Sequence, residues 1–127
     1  MDERIELEMA ILRRKYPNAR RQDRWVLVPA YPLPADWSAA AVDTAFHVRD
    51  GYPGAGLYGI YVPAGLRFKG ELPGNYGDTV SPAPPFGGTW GMFSWEAEQW
   101  FAKADPAAGH NFLTWVVGFA KRFQEGR

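Results

Sequence analysis

The chain has no cysteine. That absence removes disulfides, thiolate metal sites and every mechanism that passes through a cysteine nucleophile. Neither sign of charge is in excess: fourteen Lys and Arg balance fourteen Asp and Glu, so no net field gathers nucleic acid, anionic membrane or an acidic substrate. Only two histidines occur, His47 and His110, far apart and without HxH or HxxxH spacing, so neither a metal nor a cofactor is expected. No stretch approaches the roughly 20 apolar residues that span a bilayer. The opening MDERIELEMAILRRKYP interleaves charge with apolar residues where a signal peptide would carry an apolar run. The expectation is a soluble cytoplasmic protein. With no repeat or linker in its 127 residues, it reads as a single domain over 1–127.

The apolar residues are arranged in an orderly way. Ile5, Met9 and Leu12 fall at i, i+4 and i+7 and predict an N-terminal amphipathic helix, with Leu7 and Ile11 as a second pair and Pro17 as its stop. Acidic residues lie near its start and Arg13, Arg14 and Lys15 near its end, which suits the helix dipole. RRK and the following Arg20–Arg21 pair read as solvated surface. Strands are predicted at Trp25 to Val28, ended by the prolines of VPAYPLP, at Val42 to Val48 with strict alternation, and at Leu57 to Val62. Pro63 to Gly91 is dense in Gly and Pro, with Leu66, Phe68, Leu72, Tyr76 and Phe86 as apolar anchors. It reads as an ordered irregular flap over the sheet. Phe112, Trp115, Val116, Phe119 and Phe123 then predict a C-terminal helix, with Asn111 as N-cap and Lys121 and Arg122 complementing its C-terminal end. The order is that of an α+β domain with helices packed on one antiparallel sheet of about four strands.

The residues able to do chemistry are few. His47 lies on the polar phase of a strand, where a solvated or hydrogen-bonded role is ordinary. His110 precedes the last helix and fits either a capping role or a general base. Glu96 stands inside WGMFSWEAEQW, where burial would suit it to acid–base work and exposure would make it a rim residue. Ser94 has no GxSxG context, and the glycines of GYPGAGLYG lack the GK[ST] of a phosphate loop. Trp90, Phe93, Trp95 and Trp100 are spaced by three, two and five, which fits no single face: Trp100 and Trp90 are expected in the core, and Met92 to Trp95 at a lip.

AFHVRDGYPGAGLYGIYVPAGLRFKGELPGN, then GTWGMFSWEAEQW, then FLTWVVGFAKRF, taken in that order, resembles the bacterial family E branch of the ubiquitin-conjugating-enzyme-like (UBC-like) superfamily. The pieces that carry it, over about Pro32 to Phe123, are Pro32 to Pro34, the Gly51–Tyr52–Pro53 step, Pro63 with Leu66 and Arg67, Pro73 to Asn75, and the W…FSW…W run. The resemblance implies an N-terminal helix, a β-meander turned at Tyr52–Pro53, a flap and a C-terminal helix. It implies a catalytic cysteine eight residues before a tryptophan, and counting back from Trp100 reaches Met92. A thioether does not ionise and holds no thioester. Members of the branch often carry histidine after the FSW-like motif, where this chain has Glu96. The expectation is therefore a non-catalytic UBC-like protein of a bacterial ubiquitin-like pathway. Its partner would be a ubiquitin-like protein, an activating enzyme or a peptidase, met through Met92, Phe93, Trp95, Leu66, Phe68, Leu72 and Tyr76. Two alternatives stand beside it: an enzyme using Glu96 or His110 as general base on a ubiquitin-like tail, and a self-associating subunit forming homo-oligomers.

Overall fold

A computed structural model describes residues 2–127. Two helices, α1 (Asp2–Leu12) and α2 (Phe112–Glu125), pack with a six-stranded antiparallel sheet. The strands are β1 (Arg20–Gln22), β2 (Trp25–Pro32), β3 (Ala41–His47), β4 (Ile60–Pro63), β5 (Tyr76–Gly77) and β6 (Trp90–Phe93), in spatial order β1-β2-β3-β4-β6-β5. The fold is α+β. Three strands were not expected from the sequence, and β4 begins at Ile60 rather than Leu57. β1 takes up the Arg20–Arg21 pair at the sheet edge, where Arg21 reaches Glu6 and Asp2 of α1. β5 and β6 arise at and after the Gly- and Pro-rich stretch, whose residues gain strand geometry only by pairing with each other and with β4.

The prolines of VPAYPLP do not end β2. Its register with β3 slips between Val28 and Tyr31, where Ala30 takes a φ of 55° and its N–H bonds to Asp43 Oδ1 at 3.0 Å. A bulge places an extra residue outside the ladder, so the strand passes its prolines without losing the pairing beyond them.

Val42, Thr44 and Phe46, together with Val48 just beyond the strand, share one phase of β3 and are buried against the helices. Ile5, Met9 and Leu12 of α1 and Phe112, Trp115, Val116, Phe119 and Phe123 of α2 complete that core. Of the second α1 pair Ile11 is buried, but Leu7 is 50% exposed, because the helix turns only one broad stripe inwards. α2 starts with a full capping box: Asn111 accepts from Thr114 N, and Thr114 Oγ1 accepts from Asn111 N.

The flap does not lie over one face of the sheet. Leu66, Phe68 and Tyr76 join the helix-side core. Val80 and Phe86 instead cover the opposite face, packing on Leu27, Ala45 and Trp90. The sheet is apolar on both faces across its middle strands, and this one irregular segment serves both.

One charged side chain ties the helix layer together. Glu8, with no exposed surface, stands on the buried stripe of α1. Its Oε1 accepts from Tyr52 Oη at 2.5 Å and from the backbone N–H of Phe112 at 2.8 Å. Its Oε2 accepts from Arg4 Nε at 2.8 Å, and the Arg4 guanidinium reaches on to Lys103 O at 2.5 Å. Breaking a buried, hydrogen-bonded charge leaves its partners unpaired at about 3–5 kcal/mol. Glu8→Ala is expected to cost about that much in urea unfolding, and Glu8→Gln distinctly less, because an amide oxygen still accepts from Phe112 N–H.

Candidate functional site

The site begins where β6 ends. Trp90 and Met92 point to the outer face of the sheet and Phe93 to the helix side. Met92 is opposite Tyr61 of β4, and its sulfur lies over Gly59, where an added Cβ would come within 2.9 Å of Sδ. Gly59 also has a φ of +87°, which favours glycine, and its N–H bonds to Trp95 O at 2.8 Å. That bond, with Ser94 N–H to Asn75 O at 2.8 Å, fixes the chain as it leaves the sheet.

Beyond it the chain runs past α2. The Trp95 ring lies on Trp115 (centroids 5.1 Å apart) and meets the edge of Phe119 at 6.3 Å. Glycine at position 118 eases this close approach: a Cβ there would stand 3.2 Å from the indole, tighter than an ordinary contact. Trp100 bonds through Nε1 to Pro53 O at 3.1 Å and stacks on His110 at 5.2 Å. His110 and Phe101 exchange hydrogen bonds, His110 N–H to Phe101 O at 3.0 Å and Phe101 N–H to His110 Nδ1 at 2.8 Å. Between this strap and α2 lies a cleft of about 580 Å³. Ser94 to Gln99 form one wall, Gly118, Lys121, Arg122 and Glu125 the other, and Asn75, His110 and Arg127 its ends.

Glu96 and His110, considered separately in the sequence, line this same cleft. Glu96 is exposed and bonds to no described residue, so its place in an aromatic run did not bury it; the run turns outwards there. The His110 Nδ1 lone pair is taken by Phe101 N–H, so the neutral ring carries its proton on Nε2 and offers the cleft a donor rather than a base. No hydrogen bond joins Ser94 Oγ to either group among the described residues, and no cluster of three or more His, Asp or Glu among them is placed to hold a metal. No helix among them is long and apolar enough to cross a membrane.

The contact residues expected from the sequence divide. Phe93 is fully buried and Leu66 nearly so, both in the helix-side core, so neither offers a contact surface; strand alternation turns Phe93 inwards. Phe68 is half-buried between Trp37 and Gly126, and Tyr76 lies on Phe93 at 4.7 Å, its phenol pushed up to about 12 by burial and by Asp78. Met92 and Trp95 are half-buried and Leu72 is 57% exposed. Trp90 is core, as expected, but on the outer face; Trp100 is only half-buried, packed over Gly56 at the margin. Sequence reasoning missed Gly118 and Arg122. Arg122 was readable: it stands at i+7 from Trp115 and i+3 from Phe119, a cation on the apolar stripe.

No protein-family model, no curated protein and no solved structure matches the chain.

His47 stands apart from the cleft, half-buried beside Trp25 with centroids 4.8 Å apart. Burial first, then the Arg24 charge, push its pKa down against the opposing Asp50. The folded protein therefore holds this proton less readily than the unfolded chain. The resulting stabilisation is present above the unfolded-chain value and is lost as pH falls towards the folded one. Between about pH 7.5 and 5.5, the urea midpoint should fall further for the native protein than for His47→Gln. In a separate test, Gly59→Ala should cost about 1–2 kcal/mol in unfolding experiments through backbone strain alone.

Proposed function

We propose that the chain is a non-catalytic UBC-like domain, cytoplasmic and part of a bacterial ubiquitin-like pathway, which binds a ubiquitin-like protein, activating enzyme or peptidase through the cleft beside α2. The observation that carries this reading is at the end of β6. Where the resemblance implies a nucleophile, the chain has the Met92 thioether seated over Gly59, two residues before an open cleft. The order of elements supports it too: a helix, antiparallel strands turned at Tyr52–Pro53, an irregular segment and a final helix. The cleft has the mixture found in non-obligate interfaces, an aromatic anchor in Trp95 rimmed by charged and amide side chains.

A second reading, an enzyme acting on a ubiquitin-like tail, draws on the shared cleft of Glu96 and His110. It requires a free base, and the tautomer held by Phe101 N–H works against His110 in that role.

Intact mass spectrometry of the protein mixed with ATP, a candidate activating enzyme and its ubiquitin-like protein separates the two. A complex seen under native conditions and absent after denaturation is expected. Lys121→Glu, an exposed change in the cleft wall, should leave the fold intact and weaken that complex about ten-fold. An adduct that survives denaturation would overturn the non-catalytic reading, and turnover of the tail would favour the second.

A further inference from the structure

We propose that the cleft seats a carboxylate carried by an extended peptide segment of the partner, and that Arg122 receives it. This rests on the reading of the cleft as a protein-binding site. Arg122 is 5% exposed, yet it lines the cleft. Its guanidinium lies over the Phe93 ring at 4.6 Å, with Nη1 bonded to Gly126 O at 3.1 Å and Nη2 to Gly74 O at 2.8 Å. Both acceptors are neutral carbonyls. No carboxylate lies within ion-pair distance of it among the described residues, and its Nε–H has no acceptor among them. Of the half-buried arginines, Arg4 is paired with Glu8, Arg21 with Glu6 and Asp2, and Arg67 with Asp78, while Arg24 also bonds only carbonyls, those of Val48 and Arg49; Arg122 differs from all four in being buried.

A guanidinium does not lose its proton in a protein, so burial without an anion leaves an uncompensated charge that a ligand's carboxylate would neutralise. Burial works against its charged form, and the Glu125 carboxylate, beyond ion-pair distance, only partly offsets it. The fork geometry suits a carboxylate, and Asn75 and Ser94 stand in the same cleft as further hydrogen-bonding groups. The remaining charges choose among anions. Lys121, Arg122 and Arg127 line the cleft against Glu96, Glu98 and Glu125, and Lys121 is already paired with Glu98 at 3.2 Å. A wall so balanced disfavours a phosphate dianion or a polyanion and admits a single negative charge.

Shape argues for a peptide. The α2 wall of the cleft runs from Gly118 to Glu125, which is roughly 10 Å at 1.5 Å per residue and the length of about three extended residues. Along its other wall Glu96 to Gln99 belong to no strand or helix, and their backbone groups pair with no described residue. Such a wall is open to main-chain pairing with an incoming strand, while Trp95 over Gly118 gives it an apolar floor.

The test is NMR titration of the whole protein with four probes: acetyl-Gly-Ala-Glu-Ala-Gly-amide, its Gln counterpart, the Gln peptide with a free C-terminal carboxylate, and sodium acetate. At least one carboxylate peptide should shift the Arg122 Nε–Hε, Gly118 amide and Trp95 indole signals and bind about ten-fold more tightly than the neutral peptide. Which one does so tells whether the carboxylate comes from a side chain or a chain end. Arg122→Lys should abolish the difference. Ser94→Glu, which leaves the bonds to Gly74 and Gly126 in place, should do the same if the lysine variant does not fold. Equal binding of the neutral peptide, acetate binding as tightly as the peptides, shifts outside the cleft, or no binding by either carboxylate peptide would each overturn the proposal. A pathway partner that binds native protein and Ser94→Glu alike would remove the carboxylate seat and leave partner binding standing. Absence of any complex with the native protein would remove the underlying reading.

Discussion

The Glu8 carboxylate is the interaction on which the rest of this architecture depends. A charge with no exposed surface is expensive, and this one is held by three donors from three parts of the chain: Arg4 of its own helix, Tyr52 of the β3–β4 connection, and the first N–H of α2. The last of these adds the favourable field of a helix N-terminus acting on an anion. Through Arg4 the same group takes hold of Lys103 O, in the strap that returns from β6 to α2. One carboxylate thus sets where α2 begins, where the connection turns and where the strap returns. The cleft is the space between strap and helix, and this network holds one end of both.

Arg122 is the counterpart of Glu8. Each is a charge on the buried stripe of a helix, and each joins its helix to an irregular segment. Glu8 finds charged and phenolic donors within the protein, whereas Arg122 finds two carbonyls and an aromatic face. The first arrangement is closed and structural. The second is left one anion short, beside an opening, which is why the two are read so differently. Between them the aromatic rings fill the core in edge-to-face and tilted contacts. Phe93 alone meets Trp37, Tyr76 and Phe123, so a residue that looked like part of a lip is instead a centre of packing.

Much of the fold was legible because hydrophobic period reports burial directly. Ile5, Met9 and Leu12, the β3 alternation, and Phe112 to Phe123 with its Asn111 cap all stand where their spacing predicted. The departures share one cause. Ala30 carries β2 past its prolines, Tyr76–Gly77 becomes a strand, and Phe86 crosses to the outer face, each through pairing with residues distant in sequence. In the cleft, the aromatic run and the charges beside it were visible, but not that Glu96 and His110 would face one another's space, nor that Phe101 N–H would claim the imidazole.

The sequence by itself determined the two helices, the central strands, the α+β class and the absence of any thiol chemistry, because period, capping residues and composition are local properties. Tertiary structure alone decided which charges are buried, which face each half of the Gly- and Pro-rich segment covers, and how the strap stands off α2 to leave a cleft. Those outcomes depend on which groups meet across the fold. A buried charge is defined by its partners, and Glu8 and Arg122 acquire theirs only when helices, connection and strap come together.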